Sequence, residues 1–496
     1  MKFTLTLIVF FYSILLFSQS GNPRPIKTLT LTDAIEIAAD SSLASFKAKN
    51  LYLSGYWQYR TFKAERLPSM SLSMTPFSYN QNFVERYDYQ NNVDTYKSQQ
   101  SLNSNANLSI KQNLDITGGT FYINTEFAYL HDFGLSKYEQ YSTVPVSIGY
   151  SQSLFGFNSF KWEKKIEPVR YEKVKKELIF NLQEISEQTS VYFFDLALYQ
   201  TIYDLAKQNI ANSDTLYRIG LERYKIGTIS QSDLLTLKLD VINSRNNVGN
   251  AEINLKTSTF TLASYLRYDT QMQFHLKLPT QPLDIIILAD DVLRKAMENN
   301  PTIPEMKESI LSAQQMLDQT KKQSRFSASL SASIGFNQVA NNFTEAYRNP
   351  LQQDLVSVSL SVPIVDWGLN KGKVNVAREN LNTVNVTAKQ TEQAFEQDVL
   401  MTVYEYNLRH SQIQLSEEAK QIAELAYNKA KQLFIIGKTD VNGVNLAISR
   451  KIEAEQNYVT SLKNYWLCYY KIRKLTLYDF VGKKTISVDF EKIHGY

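Results

Sequence analysis

The chain repeats one order of segments twice, and this internal repeat constrains its fold more than any other feature. The segment around Asp33 recurs around Asp291, and the segment around Gly227 recurs around Gly437. Asp33 to Asp291 is an offset of 258 residues, whereas Gly227 to Gly437 is an offset of 210. The first half therefore carries an insertion of about 48 residues. Each half is predicted to contain a helix, strands, a long helix, a turn and a returning helix.

The helices follow from apolar residues at helical spacing. The first helix is predicted over residues 32–65, and its counterpart over 289–324 with an early kink or break at Pro301 and Pro304. Residues 160–224 and 371–435 each predict a 65-residue helix, roughly 97 Å long. From Leu178 to Tyr217 the spacing of the seam positions alternates four and three, and a similar series runs from Leu415 to Leu433, which predicts antiparallel coiled-coil hairpins. Long helices alone also fit an elongated soluble scaffold.

Glycines mark where each long helix turns back. Gly227 and Gly437 are predicted to adopt a left-handed backbone at the helix end. Ser230 and Asp440 follow them at the position of a helix N-cap. Both glycines are turn-formers at the least, and Asp233 has the simpler alternative role of placing negative charge at a helix start.

Several segments alternate apolar residues with serine, the period of a β-strand. Val356, Val358 and Leu360 alternate with serines and predict a lipid-facing surface backed by a water-facing one. Inside the insertion, Gly118-Gly119 predicts a hairpin turn. Four to six strands are expected, and a single-chain barrel needs eight or more. The strands therefore form either a soluble sandwich or part of a barrel shared by several copies.

Composition and the N-terminus narrow the class of protein. Lys2 precedes an apolar run over residues 3–17, so residues 1–20 are predicted to be a signal peptide, with an uncleaved anchor as the alternative. No later apolar run reaches 18 residues, so any membrane crossing must use strands. Cys468 is the only cysteine and excludes an internal disulfide. A net charge of +4 over 496 residues disfavours a nucleic-acid binder.

The sequence lacks the motifs of an active site. The four histidines have no metal-ligand spacing, and neither a phosphate-binding glycine loop nor a nucleophile elbow is present. Acidic residues on long helices are usually solvated or paired. We therefore predict no catalytic residue, no cofactor and no metal, and the protein is not expected to be an enzyme.

The order of parts resembles the TolC-like outer-membrane efflux family. The motifs are Leu67-Pro68 before the first strand, the segment 362–368 between strand and helix, and the first turn at 224–228 followed by the segment 232–235. The likeness covers about residues 29–480. It divides the chain into a first repeat at 29–268, a linker at 269–288, a second repeat at 289–480 and a tail at 481–496 that matches nothing. The implied fold class is mainly α with a membrane β-barrel portion, built as a trimeric duct.

The resemblance implies a function and partners. A homotrimer would form a passive duct from the periplasm to the exterior, in the outer membrane of a Gram-negative bacterium. It would serve a tripartite efflux or type I secretion system, with a periplasmic membrane-fusion adaptor, an inner-membrane RND or ABC pump, and outer-membrane lipid as partners. The alternative is a secreted periplasmic coiled-coil scaffold without a pore. The cargo, small molecules or proteins, is not named by the sequence.

The resemblance also assigns the turns to a periplasmic tip where the adaptor docks. The implied tip residues are Gly227, Thr228, Asp233, Leu234, Gly437, Lys438, Asp440 and Val444. Two features depart from the family pattern. The insertion adds either two strands or one long extracellular hairpin to the usual two strands per half. Gly443 stands in the second half where Asp233 stands in the first, so an acidic ring from the second repeat is not expected.

Overall fold

The computed structural model describes residues 26–134, 137–270, 272–279, 283 and 285–494. The predicted signal peptide, residues 1–20, lies outside the described residues. The chain divides into two compact units. The helical unit comprises the described parts of Met1–Leu53, Lys175–Pro301 and Gln393–Tyr496, and the strand unit comprises those of Ser54–Val174 and Thr302–Glu392.

Helices and strands follow the predicted order along the described residues. The helices are α1 Leu31–Ser41, α2 Leu43–Ala64, α3 Ser159–Lys225, α4 Gln231–Tyr265, α5 Ala289–Asn299, α6 Thr302–Gln323, α7 Leu369–Ile435, α8 Val441–Thr476 and α9 Phe490–His494, with a 3₁₀ turn at Glu345–Tyr347. The strands are β1 Ile26–Thr30, β2 Ser69–Asp88, β3 Val93–Asn113, β4 Thr120–Asp132, β5 Tyr138–Leu154, β6 Gln273–Lys277, β7 Ser327–Ala340, β8 Leu351–Ser361, β9 Tyr478–Asp479 and β10 Lys484–Thr485.

The first helix of each half is broken. The prediction of one continuous helix over residues 32–65 is wrong, because Ser42 has extended backbone angles and separates α1 from α2. The Ser42 hydroxyl accepts a hydrogen bond from the Ser45 backbone N–H at 3.1 Å and so caps α2. In the second half the predicted break is confirmed at Pro301, between α5 and α6. Pro304 instead lies within the first turn of α6, where a missing N–H costs nothing.

The two long helices have equal lengths. Both α3 and α7 contain 67 residues and exceed their predicted limits by two residues. The helical unit has its core around these helices and α8, with fully buried aromatic side chains at Phe193, Tyr406 and Tyr465. The Tyr406 and Tyr465 hydroxyls lie 2.9 Å apart, so these buried groups satisfy each other.

Six strands form one antiparallel sheet in the order β2-β3-β4-β5-β7-β8. The insertion supplies β3 and β4, which pair with each other across the predicted turn, where Gly118 has a φ of 76°. They lie between β2 and β5 in the sheet, so the added residues contribute two strands to it. Among the described residues β2 and β8 are the edge strands, and they do not pair with each other.

Segments predicted as linker and tail also carry structure. Residues 269–288 contain β6, which pairs in parallel with β1, the strand directly before α1. In the tail, β10 pairs with β9, and the α9 residue His494 places its Nε2 atom 2.7 Å from the Tyr52 hydroxyl. These contacts hold both segments against the helical unit, and the predicted domain limits remain a prediction.

Candidate functional site

The turn after α3 is a glycine C-cap. Gly227 has a φ of 75°, a conformation that side chains disfavour. The Thr228 N–H donates to the Arg223 carbonyl at 2.9 Å, and the Gly227 N–H donates to the Tyr224 carbonyl at 3.0 Å. These bonds satisfy carbonyls that the helix end leaves without partners.

The turn after α7 has the same geometry. Gly437 has a φ of 78°, and the Lys438 N–H donates to the Leu433 carbonyl at 2.8 Å. The left-handed backbone predicted for both glycines is therefore confirmed. The sequence specifies the turns through one residue type, since glycine adopts positive φ without a Cβ penalty.

The two returning helices are capped differently. At α4 the Asp233 N–H donates to the Ser230 hydroxyl at 3.1 Å, and the Ser230 N–H donates back to the Asp233 carboxylate at 3.1 Å. The hydrogen bonds from the side chain and backbone of Ser230 lower the pKa of Asp233. At α8 the Asp440 carboxylate accepts from the Gly443 N–H at 2.9 Å, with no reciprocal side chain. Both predicted N-caps are confirmed.

One arginine connects the two turns. Arg223 Nη1 donates to the Phe434 carbonyl at 3.1 Å, and its guanidinium carbon lies 5.1 Å from the Phe434 ring centroid. Below it, a buried apolar cluster contains Leu216, Leu237, Phe434, Val441 and Val444. This cluster fixes the turns of the two halves together.

The predicted tip residues fall into exposed and buried groups. Gly227, Thr228, Gly437 and Lys438 are exposed, as is Asp440, whereas Asp233 and Leu234 are half-buried. Val444 is 1% exposed, so it supports the tip surface from below and does not form part of it.

Sequence reasoning missed two exposed apolar residues at the tip. Ile226 is 74% exposed and Ile436 is 63% exposed, each directly before a turn glycine. Both occupy the same position in the two matching turn segments. An apolar side chain repeated at the polar end of a helix was the signal that pointed to them.

The predicted strand residues lie on one face of β8. By register, Val356 pairs with Ala332, Val358 with Leu330, and Leu360 with Ala328. The intervening residues pair serine with serine. Paired residues project to the same side of a sheet, so one face of β7 and β8 is apolar and the other carries hydroxyls.

This division continues across the sheet. The register aligns an apolar row of Met70, Ile110, Ile123, Ile148 and Ile334 over five strands, and the row ends at Asp354 in β8. It aligns a neighbouring polar or small row of Ser71, Ser109, Asn124, Ser147 and Gly335. One face of the sheet suits lipid and the opposite face suits water.

Every described helix is too short or too polar to cross a bilayer. In the described part of the chain, no three His, Cys, Asp or Glu side chains are grouped so that they could hold a metal ion.

The chain is similar to a known family over part of its length and to solved structures over most of it. Residues 292–467 match the outer membrane efflux protein family. The resemblance to TolC-like channels is confirmed. The CmeC outer membrane channel of Campylobacter jejuni is 14% identical, with a TM-score of 0.63 over 94% of this chain and 88% of that one. The open MtrE channel of Neisseria gonorrhoeae is 13% identical, with a TM-score of 0.59 over 90% and 88%.

The chain is also similar in fold to a third solved outer membrane protein. VceC of Vibrio cholerae is 13% identical, with a TM-score of 0.57 over 90% of this chain and 95% of that one. No curated protein sequence matches the chain. At these identities the structural comparisons show the TolC-like fold of mixed helices and antiparallel strands.

Proposed function

We propose that this TolC-like protein is the outer-membrane duct of an efflux or type I secretion system. It conducts cargo passively from the periplasm to the exterior of a Gram-negative cell. The observation that carries the proposal is the six-stranded sheet with one apolar face, one polar face and two unpaired edges. The efflux family match over residues 292–467 supports the same function.

The open sheet requires further copies of the chain. Unpaired strand edges are not tolerated in lipid, and barrels of one chain need at least eight strands. A homotrimer in which β8 of each copy pairs with β2 of the next copy closes the wall. The strands then form a transmembrane barrel, with Val356, Val358 and Leu360 facing lipid.

The helical unit supports the same assembly. Two helices carry exposed apolar residues at spacings that fit a seven-residue repeat: Leu235, Leu239, Ile242, Ile253 and Phe260 on α4, and Tyr404, Leu408, Leu415, Ile422 and Leu425 on α7. Such unpartnered stripes are typical of coiled-coil seams that meet another helix. We assign them to contacts between neighbouring copies, which would form the periplasmic part of the duct from the two repeats.

The two turns are the proposed docking surface for a periplasmic membrane-fusion adaptor. The exposed residues Ile226, Thr228, Ile436 and Lys438 surround the turn glycines and offer an apolar surface with a positive charge. An inner-membrane RND or ABC pump would supply the energy, since a duct needs no catalytic group of its own. The alternative, a coiled-coil scaffold without a pore, does not explain why the sheet has one apolar face and one polar face.

Lysine substitutions on β8 test the lipid face. Val358 is 65% exposed in the single chain, and Val358→Lys should cost about 2–4 kcal/mol if the residue faces the membrane midplane. Ser357→Lys, one residue away on the polar face, is the matched control. Outer-membrane fractionation and the trimeric band in mild detergent measure assembly. Normal assembly of Val358→Lys would contradict the assigned face.

A strain lacking the gene tests transport itself. Loss of the duct should raise intracellular retention of a pump substrate, such as a fluorescent dye, and the wild-type chain should restore export. Ile436→Asp should reach the outer membrane yet fail to restore export, because it places charge on the docking surface. A soluble periplasmic monomer would refute the proposal.

A further inference from the structure

We infer that the inserted strands β3 and β4 widen the outer-membrane barrel, so that three copies close a wall of 18 strands instead of 12. The inference rests on the proposed duct and its threefold assembly. It gives the insertion a function, a wider aqueous exit at the cell surface.

The inserted strands are continuous with the sheet on both sides. The β3–β4 register runs without interruption from Ser101 opposite Asp132 to Asn113 opposite Thr120. β4 pairs with β5 over its whole length, with one irregularity after Asn124. The inserted strands therefore separate β2 from β5 and lengthen the wall.

The inserted strands carry the same two-faced pattern as the rest of the wall. β3 places Ser101, Asn103, Asn105, Asn107 and Ser109 on the polar face. It places Leu102, Ala106, Leu108 and Ile110 on the opposite, mainly apolar face, with Ser104 between them. A hairpin surrounded by water needs no such division, whereas a strand between lipid and an aqueous lumen does.

Side-chain contacts hold the inserted strands in place. The Tyr122 ring of β4 covers Gly149 of β5 so closely that a Cβ at Gly149 would collide with it. On the same face, the Ser109 hydroxyl donates to Asn124 Oδ1 at 2.6 Å. These contacts join β3, β4 and β5 into one rigid surface.

The turn between β3 and β4 is tied to the neighbouring helix ends. Arg66, just after α2, lies 3.4 Å from the Asp115 carboxylate and donates to the Phe160 carbonyl at 3.0 Å. Asn158, just before α3, donates to the Asp115 carbonyl at 2.9 Å. The turn thus lies at the helix side of the sheet, where the wall of the barrel begins.

Both inserted strands are long enough to cross a bilayer. β3 has 21 residues and β4 has 13, and about 9–11 tilted residues cross a bilayer. In the described residues β4 pairs with β3 from Ser101 onwards, whereas β2 pairs with β3 as far as Val93, so the β2–β3 hairpin extends beyond β4. The insertion accordingly supplies two wall strands and a projecting hairpin together.

The consequence is a wider exit. With strands about 4.8 Å apart and tilted about 40°, 18 strands give a backbone diameter of about 36 Å, against about 24 Å for 12 strands. Barrels of this size leave an aqueous channel. The exit would admit bulkier cargo than one built from four strands per copy.

Cysteine labelling of the full-length chain in cells tests the placement of β3. Asn107→Cys lies on the polar face and Leu108→Cys on the apolar face of the same strand. A membrane-impermeant maleimide should label the Asn107→Cys variant at least about tenfold faster than the Leu108→Cys variant, because lipid shields the thiol of the latter. The native Cys468 is buried, and burial raises the pKa of its thiol to about 11, so background labelling is low. Equal labelling of both variants would overturn the inference.

Single-particle imaging of the wild-type protein in lipid nanodiscs counts the strands directly. A three-copy barrel of 18 strands supports the inference. A three-copy barrel of 12 strands, with β3 and β4 outside the wall, overturns it and leaves the proposed duct intact. A two-copy barrel of 12 strands, or a monomer, contradicts the proposed trimer instead.

Discussion

The turns of the two halves share a backbone geometry and differ in what surrounds it. Gly227 and Gly437 adopt the same left-handed conformation. The residue three positions before each glycine differs: Tyr224 is 41% exposed, whereas Phe434 is 1% exposed. The first half supplies Arg223 and a complete capping box, and the second supplies the buried ring. The two turns are therefore complementary, and neither makes the other dispensable.

The largest expected difference between the two turns is in the stability lost when the aromatic residue, Phe434 or Tyr224, is replaced by alanine. Phe434→Ala should destabilise the tip by about 3–5 kcal/mol, because it leaves a cavity and removes the surface on which Arg223 rests. Tyr224→Ala, its counterpart, should change stability by less than about 0.5 kcal/mol. Native-state hydrogen exchange of the turn amides in nanodiscs measures both. Equal protection in the two variants would show that the halves contribute alike.

Replacing either turn glycine by valine should destabilise the protein less than Phe434→Ala does. Gly437→Val and Gly227→Val each force a branched side chain to positive φ, at about 1–3 kcal/mol. A Cβ at Gly437 would be in ordinary contact with an Arg223 nitrogen at 3.6 Å, so the two valine methyl groups would be added beside Arg223, whereas a Cβ at Gly227 has open space. Export should therefore fall further in Gly437→Val, while strand insertion stays normal. Dye efflux beside outer-membrane fractionation measures the two effects, and the reverse order would contradict the asymmetry.

Alanine at Gly443 should fail to stabilise α8. Replacing a helical glycine by alanine usually gains about 0.5–1 kcal/mol. A Cβ at Gly443 would lie 2.6 Å from Thr439 Oγ1 and 3.2 Å from the capping Asp440 carboxylate. Gly249→Ala in α4 is the control, because a Cβ there meets nothing. Thermal unfolding should show a gain only for Gly249→Ala, and an equal gain at both sites would sink this explanation.

The smallest expected effect is the pH dependence of the first capping box. Hydrogen bonds from Ser230 hold the pKa of Asp233 below its ordinary value of 3.8. The folded state thus favours the ionised carboxylate, so its contribution is complete above pH 3.8 and is lost as the pH falls through the lowered pKa. Asp233→Asn should unfold at a lower temperature than wild type at pH 6, and the gap should narrow towards pH 3. A difference in unfolding temperature that stays constant between pH 6 and pH 3 would show that Asp233 ionisation does not contribute to stability.

Local sequence signals are sufficient to predict most of the helix limits and both turns. Gly227 and Gly437 set the turns, and Ser230 and Asp440 set the caps, because these features depend on residues close in sequence. The break at Ser42 was missed, since serine occurs within helices and its capping role depends on a buried position. Val444 was expected at the surface, and only the packing of four helices shows that it is covered.

The strands illustrate a different limit. Serine alternation in β7 and β8 predicted the two faces, and Gly118-Gly119 predicted the hairpin. The sequence left open whether the insertion joins the sheet, because strand pairing depends on residues far apart in the chain. Tyr122 over Gly149 and Arg66 beside Asp115 decide the question, and neither pair is marked by a local pattern.

The central claim is that neighbouring copies share one wall through β8 and β2. Cysteine at Ser71 in β2, combined in turn with cysteine at Ser357, Ser359 or Ser361 in β8, tests that edge in intact cells. Oxidation of at least one pair should produce a ladder of covalent dimer and trimer with no larger species. Only monomer in all three pairs, from a protein that still reaches the outer membrane, would contradict the account.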